Sequence, residues 1–421
     1  MSATSTQFEA QLERYVTLLL QLGVNLQLGQ NLIINSTPAP VEEVAPVMRL
    51  MTRKAYEMGA RNVFPQWDDA SIARTRMLSA SEEALSDVQL WRVKWLEEQS
   101  EQGSAFMTLF APDPDLFDGV EMERLTISRR ANARAGARLS EAASKLAHPW
   151  SVAAIATRAW ARKVHPDLSE RDGLDALWRY IFAATRIDRP DPLQAWRDHM
   201  AQLNTHMSEL NRMRFKRLHY SAPGTDLTID LPEGHLWMGG GASAHKGNFF
   251  VPNIPTEEVF SLPARAGVNG AVSSTMPLNY NGVLIEGIRL TLADGRIVSY
   301  SATSGEAALK SIIETDEGSH YLGEVALVPL DSPVNTGTPV YNTLFDENAS
   351  CHIAIGRAYP ICIEGGDAMT PEELAAHGVN SSDAHVDFMI GSAEMDIDGE
   401  TASGERVPVF RRGMWAGSFA H

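Results

Sequence analysis

The stretch NLIINSTPAPVEEVAPVMRLMTRKAYEMGARNVFPQW, residues 31–67, indicates the fold of the first part of the chain. Its two ends, NLIIN (31–35) and NVFPQW (62–67), are short apolar segments of the kind that form strands. Between them, VEEVAPVMRLMTRKAYEMG (41–59) predicts a helix, and Gly59 provides a stop signal. A strand, a helix and a second strand in this order predict parallel strands joined by a crossover helix.

The same alternation of strands and helices continues along the N-terminal part of the chain. Strand-like segments lie at 105–112 and 150–157, and a helical segment lies at 174–187. We therefore predict an α/β domain with a largely parallel sheet over residues 1–188. The segment RIDRPDP (186–192) interrupts the alternation with two prolines and two aspartates and marks the predicted boundary.

Beyond this boundary the pattern becomes that of antiparallel strands. DLTIDL (226–231) alternates strictly between polar and apolar residues, and GVLIEGIRLTL and RIVSYSA flank an Asp294–Gly295 turn that predicts a hairpin. Helices are predicted at 193–215, 306–313 and 348–359. Residues 189–421 are therefore predicted to form an α+β domain that is rich in antiparallel strands.

Composition limits the function classes that the chain can serve. Its 421 residues exceed the size at which one core usually stops growing, which agrees with two domains. The formal net charge of −17 argues against nucleic acid or an anionic membrane surface as a partner. Two cysteines are too few for a disulfide framework, so a bound metal would be held by histidine and carboxylate. Because we find neither a membrane-spanning apolar run nor a signal peptide, we expect a cytoplasmic protein.

NSSDAHVDFMIGS (380–392) contains a predicted strand with an imidazole beside a carboxylate. Side chains alternate between the two faces of a strand, so His385 and Asp387 share one face. The three apolar residues Val386, Phe388 and Ile390 share the other. Two interpretations follow from the alternation: a pair of metal ligands, or a core histidine with its hydrogen-bond partner.

Further residues able to bind metal occur in the same domain. His352 and Tyr359 are seven residues apart in a predicted helix, which would place them on one helical face. Glu324 begins an apolar strand, and Glu257 and Glu258 stand side by side in an extended segment. Carboxylates and imidazoles are the ligands that bind Zn²⁺, Co²⁺ or Mn²⁺ in hydrolases. Each residue also has a structural alternative, as a satisfied core histidine or as a surface glutamate.

Several blocks make the chain resemble a known family, the thermophilic-type metalloaminopeptidases that include aminopeptidase T and aminopeptidase S. The C-terminal blocks are APGTDLTIDLPEGHLWMGG, NIPTEEVFSLP, TDEGSHYLGEVALVP, YNTLFDENASCHIAIGRAYP and NSSDAHVDFMIGS. FDGVEMERLTISRRA and PWSVAAIATRAWARKVHPD agree in the N-terminal part. The resemblance therefore covers nearly the whole chain.

The resemblance implies an exopeptidase that removes single residues from peptides with a free N-terminus. It implies two divalent ions per subunit, Zn²⁺, Co²⁺, Mn²⁺ or Mg²⁺, in the C-terminal domain, and a homodimer. The implied metal ligands are Glu258, Glu324, His352, His385 and Asp387, with Tyr359 as a further ligand or as a hydrogen-bond donor. The choice between Glu257 and Glu258 as ligand stays open.

On this basis the sequence suggests a mechanism in which the two ions activate a water molecule. Glu257 would act as general base and proton donor, and Tyr359 would donate a hydrogen bond to the tetrahedral oxyanion. Two alternatives remain from the sequence. One is another metal-dependent amidase or dipeptidase with the same centre, and the other is a non-catalytic dimeric binding protein of the same fold.

Overall fold

The computed structural model describes residues 3–245, 247–280 and 283–420. Within them, the helices are α1 (Ala3–Leu18), α2 (Val41–Glu57), α3 (Ala70–Ser79), α4 (Glu82–Ser86), α5 (Leu90–Gln102), α6 (Met122–Ala135), α7 (Ala137–Ser144), α8 (Arg158–Val164), α9 (Glu170–Ala184), α10 (Pro192–Met213), α11 (Glu306–Ile313), α12 (Thr343–Asp346) and α13 (Pro371–Ala376). The strands are β1 (Asn31–Ser36), β2 (Asn62–Gln66), β3 (Ala105–Phe110), β4 (Trp150–Ala154), β5 (Arg217–Ala222), β6 (Thr225–Asp230), β7 (Met238–Gly239), β8 (Ala242–Ser243), β9 (Phe249–Phe250), β10 (Asn253–Ile254), β11 (Val259–Ser261), β12 (Val268–Ser273), β13 (Leu278–Tyr280), β14 (Val283–Ile285), β15 (Arg289–Ala293), β16 (Arg296–Ser301), β17 (Leu322–Leu327), β18 (His352–Gly356), β19 (His385–Met389), β20 (Asp396–Glu400), β21 (Arg406–Arg411) and β22 (Met414–Trp415). None of these helices is long and apolar enough to cross a membrane.

The chain divides into two compact units. The first comprises Met1–Asp198 and Gly241–Pro255, and the second comprises His199–Gly240 and Thr256–His421. The sequence predicted a boundary between residues 188 and 189, whereas the division falls inside helix α10. Residues 241–255 were predicted to belong to the second domain. They join the first unit because β10 pairs with β4.

A parallel sheet forms the centre of the first unit. Its strand order is β10-β4-β3-β1-β2, and every pairing in it is parallel. The stretch 31–67 folds as predicted, since β1 and β2 pair in parallel and α2 connects them. Leu32, Ile33 and Ile34 of β1 are fully buried, as expected for a parallel strand covered on both faces.

Antiparallel sheets build the second unit. One has the order β16-β15-β12-β6-β5-β20-β21-β22, and the other has the order β19-β18-β17-β11-β7. The predicted hairpin is β15 and β16, and both turn residues, Asp294 and Gly295, have positive φ values of 49° and 78°. A type I′ turn requires this conformation at both central positions.

The helix predicted over residues 348–359 is wrong. A short 3-10 helix (Glu347–Ala349) is followed there by strand β18, whose five residues are all buried. β18 pairs with β17 on one side and β19 on the other. A central strand that is buried on both faces loses the polar alternation, and a short apolar run cannot be distinguished from a helix by periodicity.

Candidate metal centre

The sheet β19-β18-β17-β11-β7 brings four of the predicted ligands onto one face. Glu324 on β17 lies opposite Ala354 on β18, and Ala354 lies opposite Asp387 on β19. Residues directly opposed in an antiparallel sheet project to the same face. His352 and His385 precede Ala354 and Asp387 by two positions and therefore share that face. The strand alternation predicted for His385 and Asp387 is confirmed.

Tyr359 reaches the same region by a different route from the one predicted. It follows β18 instead of sharing a helical face with His352. Its ring lies 4.8 Å from the ring of His385 and 6.1 Å from that of Phe260, measured between centroids. Burial, followed by the charges of Glu324 and Asp387, raises the pKa of Tyr359 well above its usual value, so its hydroxyl keeps its proton.

Glu324 lies between two groups of ligand atoms. Its Oε1 is 3.5 Å from His352 Nε2, and its Oε2 is 3.5 Å from His385 Nε2. Glu258 Oε2 lies 3.0 Å from His352 Nε2, and Asp387 Oδ2 lies 3.6 Å from His385 Nε2. Each group offers three ligand atoms within 4.8 Å of one another, and Glu324 belongs to both. One carboxylate thus belongs to both groups of possible metal ligands.

Backbone carbonyls fix the orientation of both imidazoles. His352 Nδ1 lies 3.2 Å from the carbonyl oxygen of Ser350, and His385 Nδ1 lies 2.7 Å from that of Arg357. A carbonyl oxygen only accepts hydrogen bonds, so Nδ1 carries the proton in each ring. In the neutral rings, both Nε2 lone pairs then face the carboxylates, as in metal sites where the second nitrogen is held by a backbone acceptor.

The donor set fits divalent cations. Glu258, Glu324, His352 and Asp387 are each at most 8% exposed. In the part of the chain that the structure describes, Asp387 Oδ1 is a buried oxygen with no hydrogen-bond partner, and Glu258 Oε2 is a buried oxygen with none apart from the Nε2 of His352 that it faces at 3.0 Å. Buried carboxylates facing imidazole lone pairs are costly unless a positive charge lies among them. Divalent ions would supply that charge and satisfy the unpaired oxygens.

The pKa values of Glu324 and His352 also reflect the cost of burying these charged groups without a cation. Burial, with the charges of Asp387 and Glu258, raises the pKa of Glu324 to about 7, although His352 acts against this increase. Burial lowers the pKa of His352, but the carboxylates of Glu258 and Glu324 outweigh burial and raise it well above its usual value. Without a cation, these groups therefore compete for protons.

Glu257 is buried beside Glu258, which rules out the surface alternative for both glutamates. The backbone N–H of Glu257 donates to Asn348 Oδ1 at 2.7 Å. Its carboxylate oxygen Oε2 lies 3.6 Å from His199 Nε2. The carboxylate of Glu257 therefore lies beside a histidine that the sequence did not indicate.

Glu347 is an acidic residue near these groups that was not predicted from the sequence. Burial raises its pKa well above the usual value, and the charges of Asp387 and Glu258 raise it further, so its carboxyl group lies near theirs. It stands five residues before His352, within the block YNTLFDENASCHIAIGRAYP. The only sequence signal for Glu347 was its position as an acidic residue close to the proposed ligand His352. The predicted helix over 348–359 left Glu347 outside.

The chain is similar to a set of known proteins along almost its whole length. A family model described as thermophilic metalloprotease (M29) matches residues 8–415. Aminopeptidase 2 of Geobacillus stearothermophilus is 46% identical over 411 residues, which cover 97% of this chain and 98% of that protein. Aminopeptidase AmpS of Bacillus subtilis (strain 168) is 45% identical over 410 residues, 97% of this chain and 99% of that protein. The solved structure of wild-type AmpT from Thermus thermophilus matches with a TM-score of 0.91 at 40% identity, and covers 97% of this chain and 100% of that one. The resemblance inferred from the sequence blocks is confirmed.

Proposed function

The chain belongs to the thermophilic metalloprotease family M29, and on that premise we propose that it is an aminopeptidase with a dinuclear metal centre in its second unit. Its substrates would be peptides with a free N-terminus, from which it would release single residues. The relatives named aminopeptidases support this activity, since they match over nearly their full length. The homodimer implied by the resemblance and the cytoplasmic location expected from the sequence stay predictions.

One observation carries the proposal of two ions. The two oxygens of Glu324 face two different histidines, each at 3.5 Å from Nε2. A single-ion site would need only one of these groups. We propose that Glu258, Glu324 and His352 hold one ion and that Glu324, His385 and Asp387 hold the other. The ligand types accept Zn²⁺, Co²⁺, Mn²⁺ or Mg²⁺.

Glu347 and Tyr359 would complete the surroundings of the ions. The proximity of Glu347 to Asp387 and Glu258 supports a role as a further carboxylate ligand. Tyr359, next to His385, would be a further ligand or a hydrogen-bond donor.

When bound, the ions would lower the pKa of a water molecule and polarise the carbonyl of the first peptide bond. The chain's own residues would move the protons. Glu257 would accept a proton from the attacking water and then donate it to the leaving amine. The protonated hydroxyl of Tyr359 would donate a hydrogen bond to the tetrahedral oxygen.

A hydrolysis assay with chromogenic leucyl and arginyl substrates, each free and N-acetylated, tests the proposal. The protein would be stripped with a chelator and restored in turn with Zn²⁺, Co²⁺, Mn²⁺ or Mg²⁺. We expect activity on the free substrates only, lost with the chelator and regained with at least one ion. Cleavage of the acetylated substrates would favour the amidase alternative, and an inert metal-loaded protein would favour the binding protein.

A further inference from the structure

The buried face of helix α10 in the second unit carries two histidines among apolar residues. His199, Leu203, His206 and Leu210 are spaced three or four positions apart and are all buried. A leucine at position 199 would bury equally well on such a face. An imidazole is costly there unless its polar nitrogens have partners.

The partner of His199 Nε2 is the segment that bears the proposed general base. Nε2 lies 2.8 Å from the carbonyl oxygen of Thr256 and 3.6 Å from Glu257 Oε2. The carbonyl oxygen only accepts hydrogen bonds, so Nε2 carries a proton that it donates to Thr256, and Glu257 Oε2 lies just beyond hydrogen-bond distance of the same nitrogen. His199 therefore contacts both the backbone just before Glu257 and the carboxylate itself.

A second contact holds the same segment from another element. Asn348, which is fully buried, accepts the backbone N–H of Glu257 through its Oδ1 at 2.7 Å. The Asn348 amide nitrogen in turn donates to the carbonyl of Leu344 at 2.9 Å. The backbone at Glu257 is thus held on both sides, but of these two side chains only His199 reaches its carboxylate.

We propose that His199 is a positioning residue that fixes the carboxylate of Glu257 for proton transfer. The inference rests on the proposed function, in which Glu257 is the general base. The bond to Thr256 anchors the imidazole, and the anchored ring, whose Nε2 lies 3.6 Å from Glu257 Oε2, limits the positions that this oxygen can take. Proton transfer is sensitive to such placement, because a displacement of about 1 Å can lower the rate about 100-fold.

The test is His199→Leu in the full-length, metal-loaded protein, with kcat, KM and bound metal measured together. We expect kcat to fall about 10- to 100-fold, with KM and metal content unchanged, because the proposed ligands are not altered. His199→Gln places an amide N–H near the position of Nε2 and is expected to recover most of the lost kcat. His206→Leu is the matched control, since His206 is a buried histidine on the same helix face that stacks on Trp415 at 4.2 Å between ring centroids. It is expected to keep the wild-type kcat.

Three results would overturn the inference. They are a His199→Leu variant with the wild-type kcat, a loss of bound metal in parallel with kcat, and a His199→Gln variant as slow as His199→Leu. Failure of the proposed function looks different, because the wild-type protein would then hydrolyse none of the free aminoacyl substrates.

Discussion

Glu324→Gln is expected to change the stability of the protein in opposite directions with and without metal. In the metal-free protein, burial and the neighbouring carboxylates raise the pKa of Glu324 from 4.5 to about 7. The folded state then holds a proton that the unfolded chain releases, so this group makes folding less favourable as pH rises from 4.5 to 7. An increase of this size corresponds to about 3 kcal/mol of unfolding free energy above pH 7. Glutamine is neutral and removes most of that cost.

Thermal unfolding at pH 8, with and without metal, measures both of these changes in stability. With a chelator present, the Glu324→Gln variant is expected to unfold at a temperature higher than the wild type by about 4–10 °C, at roughly 2–4 °C per kcal/mol for a unit of this size. With saturating metal the order is expected to reverse, because the wild type gains binding free energy that the variant lacks. Glu233→Gln, at an exposed glutamate, is the control and is expected to change neither value. A metal-free variant less stable than the metal-free wild type would refute the reasoning.

Three further predictions concern the base, the core and the pH dependence. Glu257→Gln is expected to keep its metal and lose at least about 100-fold in kcat, whereas Glu258→Gln is expected to lose metal, as measured by elemental analysis and steady-state kinetics. Phe388→Ala removes a fully buried ring from the face of β19 opposite the proposed ligands, and is expected to cost about 3–5 kcal/mol in urea unfolding. A hydrogen bond from Lys216, followed by one from a neighbouring histidine, lowers the pKa of Glu400 to about 2. Its stabilisation is therefore complete above pH 4.5 and is lost as pH falls towards 2, so Glu400→Gln should flatten the acid loss of stability.

Each of these predictions has an outcome that contradicts it. Metal loss in Glu257→Gln together with metal retention in Glu258→Gln would mean that the two glutamates have exchanged roles. Val298→Ala, at a position 59% exposed on β16, is the control for Phe388→Ala and should cost less than about 0.5 kcal/mol. Equal losses in these two variants would contradict the buried role of Phe388. An acid unfolding profile unchanged by Glu400→Gln would contradict the assigned pKa.

Local sequence signals were sufficient to predict elements whose structure depends mainly on their own residues. The strand–helix–strand stretch over 31–67 and the Asp294–Gly295 hairpin fold as predicted, because periodicity and turn conformation are local properties. They were insufficient at β18, whose structure depends on β17 and β19 on its two sides. The placement of residues 241–255 in the first unit could not be predicted for a related reason, since β10 joins that unit by pairing with a strand about 100 residues earlier.

In the candidate site too, local patterns were predictable from the sequence and contacts between distant residues were not. Strand alternation placed His385 and Asp387 on one face, and the register of the sheet adds His352 and Glu324 to that face. The sequence blocks named these residues, but their spacing along the chain could not show that Glu324 lies between the two histidines. His199 stands 58 positions before Glu257 and belongs to a helix, so no pattern near either residue connects them.

The central claim is that Glu324 bridges two ions, and the number of ions needed for full activity tests it most directly. The stripped protein would be titrated with the most activating metal, with hydrolysis of a free leucyl substrate followed at each addition. We predict that activity reaches its maximum at two ions per chain in the wild type, and that Glu324→Gln never reaches it at the same ratios. A maximum at one ion per chain, or full activity in Glu324→Gln, would contradict the bridged centre.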